Sequence, residues 1–405
     1  MRPFRSFPAS FASLDRLLPS LVGATLVTVG SAHADPLEVP AAYPTIQAAI
    51  DAAEEGDVVL IAPGTYLETI DVQGKEIELR GAGPAAEVIL RSPDGGTMLF
   101  IAPESDVTTR FTDLTFTGGI DATLIRIELA SPIFERCIFR DNLRRAVTEF
   151  HSCTSSAGGT YLDCLFLDND DPNGGAIYLH WSNALVDGCA FVGNRAVGDT
   201  AGVNAGGAVY VNDWDCGTHD HVFRDTVFAD NAAVWGGAIY SQGYFPSAPT
   251  TMTVQDCRFI ANAATQGRAM WNWYITVPVS GSWFCGGGDQ IRHSWTDLGG
   301  NVFASDCSDA PLDDCDGDLV PDDLAIALGV VSDCDGDGVP DACGSGNPCC
   351  PRDLSADGEV DMADVALLLT AWGPCPDCPE DLDGDGLVQF ADLVSLLAGW
   401  GSCEG

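Results

Sequence analysis

The sequence is poor in positive charge. Its 405 residues include 18 Lys+Arg against 59 Asp+Glu, which gives a formal net charge of −41, and Lys75 is the only lysine. This balance argues against nucleic acid as a partner, because phosphate binding needs a basic surface. Long hydrophobic runs are also missing, since none reaches the roughly 18 residues that span a bilayer. We expect no transmembrane segment in the mature chain and favour cations as partners.

The N-terminal segment, residues 1–34, has the pattern of a secretory signal. Arg2, Arg5 and Arg16 make a basic start, and residues 17–30 form an uncharged apolar stretch. Ala32 and Ala34 then match the small-x-small cleavage pattern, so we expect cleavage after Ala34. Export to the cell surface or the medium would allow the 16 cysteines to form disulfides.

The composition changes sharply near Cys307. Residues 306–405 contain 24 Asp+Glu, a single basic residue (Arg352) and nine of the 16 cysteines. The preceding part carries nearly all the aromatic residues in a repeat. We therefore divide the mature chain into a repeat domain (35–305), an acidic Cys-rich linker (306–350) and a C-terminal module (351–405).

The repeat domain alternates two phrases. The first is Cys-x-Phe-x-x-Asn, with its phenylalanines at Phe139, Phe166, Phe191, Phe228 and Phe259. The second is Gly-Gly-Ala-apolar-aromatic, which begins at positions 174, 206, 236 and 267 in slightly varied form. A regular period of this length indicates stacked supersecondary units. Short strands separated by Gly and Asn, without helical periodicity, predict a parallel β-helix with the phenylalanines in file inside.

The start of this domain resembles the pectin-lyase-like, right-handed parallel β-helix superfamily. Residues 44–53 read as a short amphipathic helix, and residues 58–62 as the strand of an opening coil. The resemblance implies an all-β solenoid whose open end is capped by that helix. Lyases, hydrolases, esterases, epimerases and non-catalytic adhesins share this fold, so it implies no single activity.

The C-terminal module contains a second repeat, in which residues 353–364 align with residues 381–392. Oxygen-bearing side chains dominate loop positions 1, 3, 5, 9 and 12, with Gly at position 6, which is the pattern of a calcium loop. The expected ligand positions are Asp353, Ser355, Asp357, Glu359, Asp361 and Asp364 in the first loop, and Asp381, Asp383, Asp385, Leu387, Gln389 and Asp392 in the second. The pair resembles a dockerin, an EF-hand-type module, which implies Ca²⁺ as cofactor and a cohesin-like or surface partner. Loop positions 10 and 11, which contact cohesins in clostridial dockerins, are here Met362-Ala363 and Phe390-Ala391.

The linker resembles thrombospondin type 3 repeats, in which acidic side chains wrap calcium in a segment held by disulfides. The expected ligands are Asp314, Asp316, Asp318 and Asp322, then Asp333, Asp335, Asp337 and Asp341. A solvated acidic linker is the alternative. Without calcium these carboxylates would repel one another, so we expect binding to be coupled to folding.

The second phrase supplies the candidate substrate-binding residues. If its apolar residues point inward, the next residues point outward in one file, which consists of Tyr178, Tyr210, Tyr240 and Trp271. Coils about 4.8 Å apart would make this file a stacking platform for an extended polysaccharide, flanked two residues further on by His180, Asn212, Gln242 and Trp273. Alternatively, the file only stabilises the sheet by cross-strand stacking.

Other residue groups give weaker indications. Residues 168–171 hold three aspartates that either bind calcium or act as a carboxylate pair, or are ordinary turn residues. His219 and His221 offer two metal ligands without an evident third. Cys137, Cys164 and Cys189 either form a redox or metal site or pack as small hydrophobic residues. Cys153 and Cys216 are candidates for a loop disulfide. Catalytic residues are not identified.

The sequence therefore predicts a secreted, calcium-binding β-helix protein that binds extracellular polysaccharide. One alternative is a polysaccharide lyase or glycoside hydrolase tethered through its tail, which requires carboxylates and Arg clustered on one face of the solenoid. The other is a non-catalytic surface adhesin or scaffold.

Overall fold

The computed structural model describes residues 35–102, 108–152, 156–196, 204–214, 219–243, 250–333, 338–343, 352–355, 359–375, 378–382 and 385–402. Within them the chain visits three long sheets in rotation. Each circuit contributes one short strand to each sheet, and every pairing between neighbouring strands of these sheets is parallel. The repeat domain is therefore a parallel β-helix, as the sequence predicts.

Sheet 1 has eleven strands. They are Leu37–Val39, Val58–Ile61, Glu78–Gly81, Arg110–Thr112, Ile133–Glu135, Thr160–Leu162, Leu185–Asp187, Asp220–Arg224, Thr251–Gln255, Pro278–Ser280 and Thr296–Asp297.

Sheet 2 has ten strands. They are Gly64–Leu67, Val88–Arg91, Thr115–Thr117, Ile138–Arg140, Leu165–Leu167, Ala190–Val192, Val227–Ala229, Arg258–Ile260, Trp283–Phe284 and Val302–Phe303.

Sheet 3 has nine strands. They are Ile70–Asp71, Leu99–Ile101, Ile125–Glu128, Val147–Phe150, Ile177–His180, Val209–Asn212, Ile239–Gln242, Met270–Trp273 and Ile291–Arg292. A further parallel pair, Arg195–Ala196 with Ala232–Ala233, lies between sheets 2 and 3 along the chain.

The phenylalanines of sheet 2 form the spine of the core. From Phe116 to Phe303 the rings of successive coils stack nearly parallel, and the rings of Phe166 and Phe191 are 4.4 Å apart with an interplanar angle of 2°. Strand alternation gives these rings a common side of the sheet, because Phe occupies the same position of each strand. This confirms the predicted internal file.

The asparagines of the first phrase form a second internal ladder. Asn194 Oδ1 accepts hydrogen bonds from the backbone N–H and the side-chain Nδ2 of Asn169, at 3.1 and 2.9 Å. Asn194 Nδ2 donates to the carbonyl of Phe166 at 2.8 Å and to Asn231 Oδ1 at 3.0 Å. The same pattern recurs at Asn231 and Asn262. The side chains thus satisfy backbone groups at buried turns, which accounts for Asn at this position in successive coils.

The glycines of the second phrase allow neighbouring coils to approach closely. Gly206 has a φ of +67°, and a Cβ atom there would lie 2.1 Å from the carbonyl oxygen of Val209. A Cβ on Gly207 would lie 2.1 Å from the carbonyl oxygen of Gly237 in the next coil. Only glycine fits both positions.

The predicted helix at the start of the domain is present as α1, Ile46–Ala52. Thr45 caps its N-terminus by accepting a hydrogen bond from the Ala48 N–H at 3.1 Å. Ile46, Ala49 and Ile50 are fully buried and belong to the same hydrophobic cluster as the interior of the coils. The helix therefore contributes its apolar face to the solenoid core.

The linker contains a helix that the sequence analysis did not predict. This helix, α2 (Asp322–Leu328), buries Leu324 and Leu328 in a cluster with outward-facing residues of sheet 2, among them Leu165 and Val227. A disulfide joins Cys285 to Cys307, and another joins Cys315 to Cys343. We call residues 320–329 the strap, because they lie against the outer face of sheet 2.

The C-terminal module is built around two helices, α3 (Met362–Thr370) and α4 (Phe390–Ala398). Leu368 and Leu396 are buried between them with Val360 and Val388. The antiparallel pairs Glu359–Val360 with Gly401–Ser402 and Gly373–Pro374 with Leu387–Val388 connect the two halves. Cys375 and Cys378 form a disulfide.

Candidate functional site

The outer face of sheet 3 carries two adjacent rows of side chains. The first row is the predicted file Tyr178, Tyr210, Tyr240 and Trp271, which the strand register places directly opposite one another. The second row, two residues further along each strand, consists of Phe150, His180, Asn212, Gln242 and Trp273.

The rings of the first row contact one another. The centroid distances are 5.2 Å for Tyr178 and Tyr210, 4.7 Å for Tyr210 and Tyr240, and 4.7 Å for Tyr240 and Trp271. Tyr210 is 4% exposed, and Tyr240 and Trp271 are each 5% exposed, in a cluster with Ala205 and Trp235. Burial raises the pKa of Tyr240 to about 12. Three of the four rings are therefore engaged in contacts within the protein, which agrees with the alternative that the file stabilises the sheet. Tyr178 is the accessible member of the row.

The second row is more accessible. Phe150 is 43% exposed and stacks on His180 at 4.6 Å, and Trp273 is 41% exposed beside Tyr274, which is 48% exposed. Between these ends, Gln242 Nε2 donates to Asn212 Oδ1 at 2.7 Å, and Asn212 donates to the Tyr178 hydroxyl. The row thus presents aromatic rings at both ends and amide groups in the middle.

A depression of about 470 Å³ opens where the two rows meet. Its lining consists of Thr123, Arg145, Thr148, Asn173, Tyr178, Tyr210 and Asn212. The Arg145 guanidinium lies 4.8 Å from the centroid of the Tyr178 ring, and its Nη2 is 2.7 Å from Asp171 Oδ1. Asp171 thus neutralises Arg145, which leaves a depression with hydroxyl, amide and aromatic groups.

The three aspartates at 168–171 have separate roles. Asp168 has a φ of +51°, a left-handed turn conformation that Asp tolerates better than most residues. Asp171 binds Arg145, and burial raises the pKa of Asp170, with repulsion from Asp171 adding to it.

In the linker, the structure gathers the carboxylates of Asp314, Asp316 and Asp318, whose nearest oxygens all lie within 4.8 Å of one another. Asp322 accepts a hydrogen bond from the Cys315 N–H at 3.2 Å and closes the same loop. Burial raises the pKa of Asp318, and the charges of Asp316 and Asp314 raise it further. A cation between these oxygens would relieve that repulsion, and an all-oxygen set suits calcium.

The second linker loop is described only in part. Asp333 accepts a hydrogen bond from the Gly338 N–H at 3.0 Å, and the Asp341 N–H donates to the Ser332 carbonyl at 2.8 Å. Asp335 and Asp337 lie outside the described residues.

Both loops of the C-terminal module are closed by a buried aspartate at position 12. Asp364 accepts hydrogen bonds from the N–H groups of Ser355 at 2.8 Å and Asp361 at 2.7 Å. Asp392 accepts from Leu382 at 2.9 Å and from Gln389 at 2.8 Å. Both carboxylates are fully buried.

At the loop starts, Asp353 is 7% exposed and Asp381 accepts a hydrogen bond from the Gly386 N–H at 2.7 Å. Asp385 accepts from the Gln389 side chain at 2.6 Å, while Glu359 and Leu387 lie in the short strands. Asp357 and Asp383 lie outside the described residues. The described oxygen-bearing groups fit a calcium ion in each loop by their chemistry.

Inside the solenoid lies a polar cluster that contains His219 and His221, which the sequence offers as two metal ligands, together with Glu149 and His151, which sequence reasoning missed. Glu149, Asp213, His219 and His221 are fully buried, and His151 is 2% exposed. Glu149 accepts hydrogen bonds from the Tyr161 hydroxyl at 2.6 Å and from the Ser182 hydroxyl. Although burial raises the pKa of Glu149, hydrogen bonds and charge from His151 outweigh this, so that its pKa is lowered.

Glu149 could have been identified in the sequence from its inward position in its strand. In Val147–Phe150 the buried positions alternate with the outer ones, and a carboxylate stands at the second buried position. An inward-facing carboxylate in a short strand indicates a partner inside the core.

The cysteines of the first phrase are free and buried. The sulfur atoms of Cys137, Cys164, Cys189 and Cys257 each lie 3.2–3.5 Å from backbone carbonyl oxygens. Burial raises the pKa of Cys257 to about 12, so that the thiol stays protonated and packs as an apolar group. Cys153 and Cys216 lie outside the described residues.

One family model matches the chain, over residues 225–242, and it describes a Chlamydia polymorphic membrane protein repeat. This stretch spans the Val227–Ala229 strand and the Ile239–Gln242 strand of one coil. No curated protein sequence matches the chain. In the described part of the chain, no helix combines the length and apolar character needed to cross a membrane.

Several solved structures resemble the backbone. A pectin methylesterase mutant in complex with a hexasaccharide is 12% identical, with a TM-score of 0.41, over 69% of this chain and 94% of that one. The catalytic domain of a GH87 alpha-1,3-glucanase in complex with nigerose is 13% identical, with a TM-score of 0.42, over 66% and 56%. An alginate lyase from Paenibacillus sp. is 14% identical, with a TM-score of 0.36, over 64% and 95%. At these scores the likeness carries no argument about activity or substrate.

Proposed function

We propose that this protein is a secreted, calcium-binding, right-handed parallel β-helix protein that binds extracellular polysaccharide on the outer face of sheet 3. The carrying observation is the second row, which combines exposed rings with amide groups on neighbouring coils. The register brings Phe150, His180, Asn212, Gln242 and Trp273 side by side on five successive strands.

Such a row matches the chemistry of an extended glycan. Aromatic rings offer apolar faces to sugar rings, and amide groups donate to and accept from hydroxyls. Because strands of neighbouring coils lie about 4.8 Å apart, five of them present a continuous linear surface. Tyr178 and the depression beside Arg145 extend this surface towards the first row.

The charge of the protein restricts the class of glycan. With a net charge of −41 and Arg145 neutralised by Asp171, the face attracts no polyanion by itself. We therefore propose a neutral glycan as the ligand, and expect acidic glycans to bind only through bridging calcium ions.

The tail is proposed to be a dockerin-like calcium module that attaches the solenoid to a surface or a complex. Met362 is 65% exposed and Phe390 is 70% exposed, each at the start of its helix and at a loop position that contacts cohesins in dockerins. Exposed apolar residues there favour an apolar partner surface over one that recognises hydroxyl side chains.

The test is retention of the full mature chain on a panel of neutral and acidic polysaccharides, with calcium and with EDTA. Replacing Trp273 with Ala should weaken retention on a neutral glycan about 5–30-fold, as expected for a loss of about 1–2 kcal/mol. Trp372→Ala is the matched control, because Trp372 is 49% exposed but lies in the tail. Equal retention of the wild type and the Trp273 variant would refute the proposed face.

The same incubation distinguishes binding from catalysis. New reducing ends would assign a glycoside hydrolase, and new unsaturated ends a polysaccharide lyase. Absence of both retention and products on every glycan would leave a surface adhesin or scaffold.

A further inference from the structure

The depression beside Arg145 exists because the first row loses its rings at one strand. The register places Thr148 directly opposite Tyr178, so a small side chain stands where the file would need another ring. Arg126, opposite Thr148 on the next strand, does not fill the space, because its Nε donates to Glu128 Oε1 of the same strand at 2.6 Å. The depression of about 470 Å³ therefore continues the line of the first row.

The depression is open towards the second row through Asn212. This residue belongs to the second row and also lines the depression. The two rows are two residues apart along each strand, which is about 7 Å. A glycan that follows the second row crosses the strands, so it reaches the depression only through a group that projects sideways from its main chain. The volume is at the lower end of the roughly 300–1,000 Å³ typical of small-molecule sites, which suits one sugar ring rather than a chain.

Hydroxyl groups on two sides of the depression have protons left to donate. Thr123 Oγ1 and Thr148 Oγ1 share one hydrogen bond at 2.9 Å, in which either group donates, so one of the two protons has no acceptor among the described residues. The Tyr178 hydroxyl accepts from Asn212 Nδ2, and its own proton has no acceptor within the described part of the chain. The rings of Tyr178 and Tyr210 add an apolar wall. Hydroxyl donors beside a ring match the polar and apolar faces of a sugar.

The charged groups of the depression form a neutral pair. Arg145 Nη2 lies 2.7 Å from Asp171 Oδ1, and Asp171 is 4% exposed. The guanidinium also lies over the Tyr178 ring, 4.8 Å from its centroid, which holds it in place. An acidic branch would bring a second carboxylate towards Asp171, in a chain whose net charge is −41. The depression therefore favours a branch without charge.

We propose that the depression is a subsite for one neutral sugar branch, so that the ligand is a neutral glycan with single-sugar side branches. This inference rests on the proposed function, because the main chain of the glycan has to lie along the second row. Tyr178, Thr148 and Arg145 contact the branch and determine the specificity, and Asn212 lies where the branch meets the main chain.

The test compares retention of the full mature chain on pairs of immobilised neutral polysaccharides that share a main chain, at one fixed calcium concentration. Each pair has a linear member and a member with single-sugar branches, such as linear mannan with galactomannan, or linear xylan with arabinoxylan. The branched member should be bound about 5–30-fold more strongly, as expected from one or two additional hydrogen bonds. Glucuronoxylan, whose branches carry a carboxylate, should not show this gain.

The variant Thr148→Tyr fills the depression with one more ring of the file. Thr148 faces outward in its strand, and Tyr is favoured in strands, so the variant should fold. It should lose the preference for branched glycans and keep its retention on linear ones. Thr253→Tyr, at an outward-facing position of sheet 1, is the matched control and should keep the preference.

The branch subsite and the proposed function fail in different ways. Equal retention of the wild type on linear and branched members would overturn the subsite alone, whereas retention on neither would overturn the polysaccharide-binding face as well. A preference for branched glycans that persists in a folded Thr148 variant, or a stronger preference for glucuronoxylan, would also overturn the subsite. If Thr148→Tyr does not fold, the wild-type comparison decides the question by itself.

Discussion

The asparagine ladder makes a quantitative prediction at Asn194. In the Asn194→Ala variant the Asn169 backbone N–H and the Phe166 carbonyl oxygen lose hydrogen bonds of 3.1 and 2.8 Å. Asn194 is fully buried, so we expect no water to replace the amide. A buried group left unsatisfied costs about 1–3 kcal/mol, so the two together should lower the free energy of unfolding by about 2–6 kcal/mol.

The assay is urea unfolding followed by tryptophan fluorescence, at one fixed calcium concentration. Asn301→Ala is the matched control: Asn301 makes the analogous bond to the Val279 carbonyl at 2.9 Å, but it is half-buried. Because water can take over its bonds, the control should lose less stability. Equal losses in the two variants, or a loss below about 1 kcal/mol at Asn194, would refute the assignment of the ladder as buried backbone satisfaction.

Three further results are expected. Phe166→Ala should lower the free energy of unfolding by about 3–5 kcal/mol in the same urea assay, because it removes a fully buried ring from the stack, and a loss no greater than that of Phe150→Ala would contradict this. Cys257, whose pKa is raised to about 12 by burial, should resist iodoacetamide at pH 8 until urea is added, as mapped by mass spectrometry; modification in the folded state would contradict its packing. Asp392→Ala should bind one calcium fewer by isothermal titration, since it removes the carboxylate that closes the second loop, and unchanged stoichiometry would exclude that loop.

The solenoid could be predicted from the sequence because its phrases repeat. Phe and Asn recur at fixed positions in successive coils, and each coil packs only against its neighbours. A repeat along the sequence is therefore sufficient to predict how the coils stack. The helix α1 was likewise predictable from its amphipathic pattern and its Thr45 cap.

The candidate sites were harder to predict, since their geometry depends on loops between the repeats. The alignment of the first row across neighbouring strands was predicted, but its burial depends on Ala205 and Trp235, which belong to less regular segments. In the buried polar cluster Glu149 meets Ser182, which is far from it in the sequence, and only the stacking of coils brings such residues together. Calcium binding by the tail remains a prediction from loop spacing.

The strap has a consequence for how the protein responds to force. Leu324 and Leu328 pack on sheet 2, and Gly329 lies so close to Pro84 that a Cβ atom would meet the proline ring at 2.3 Å. The strap therefore contacts an early coil although it follows the last coil in sequence. Because the Cys315–Cys343 disulfide joins the two sides of the segment that contains the strap, tension applied through a tail fixed to a surface would pass across that disulfide and bypass the strap. The Cys285–Cys307 disulfide would then pass the load to the last coils, so the strap would stay packed on sheet 2 while those coils carry the tension.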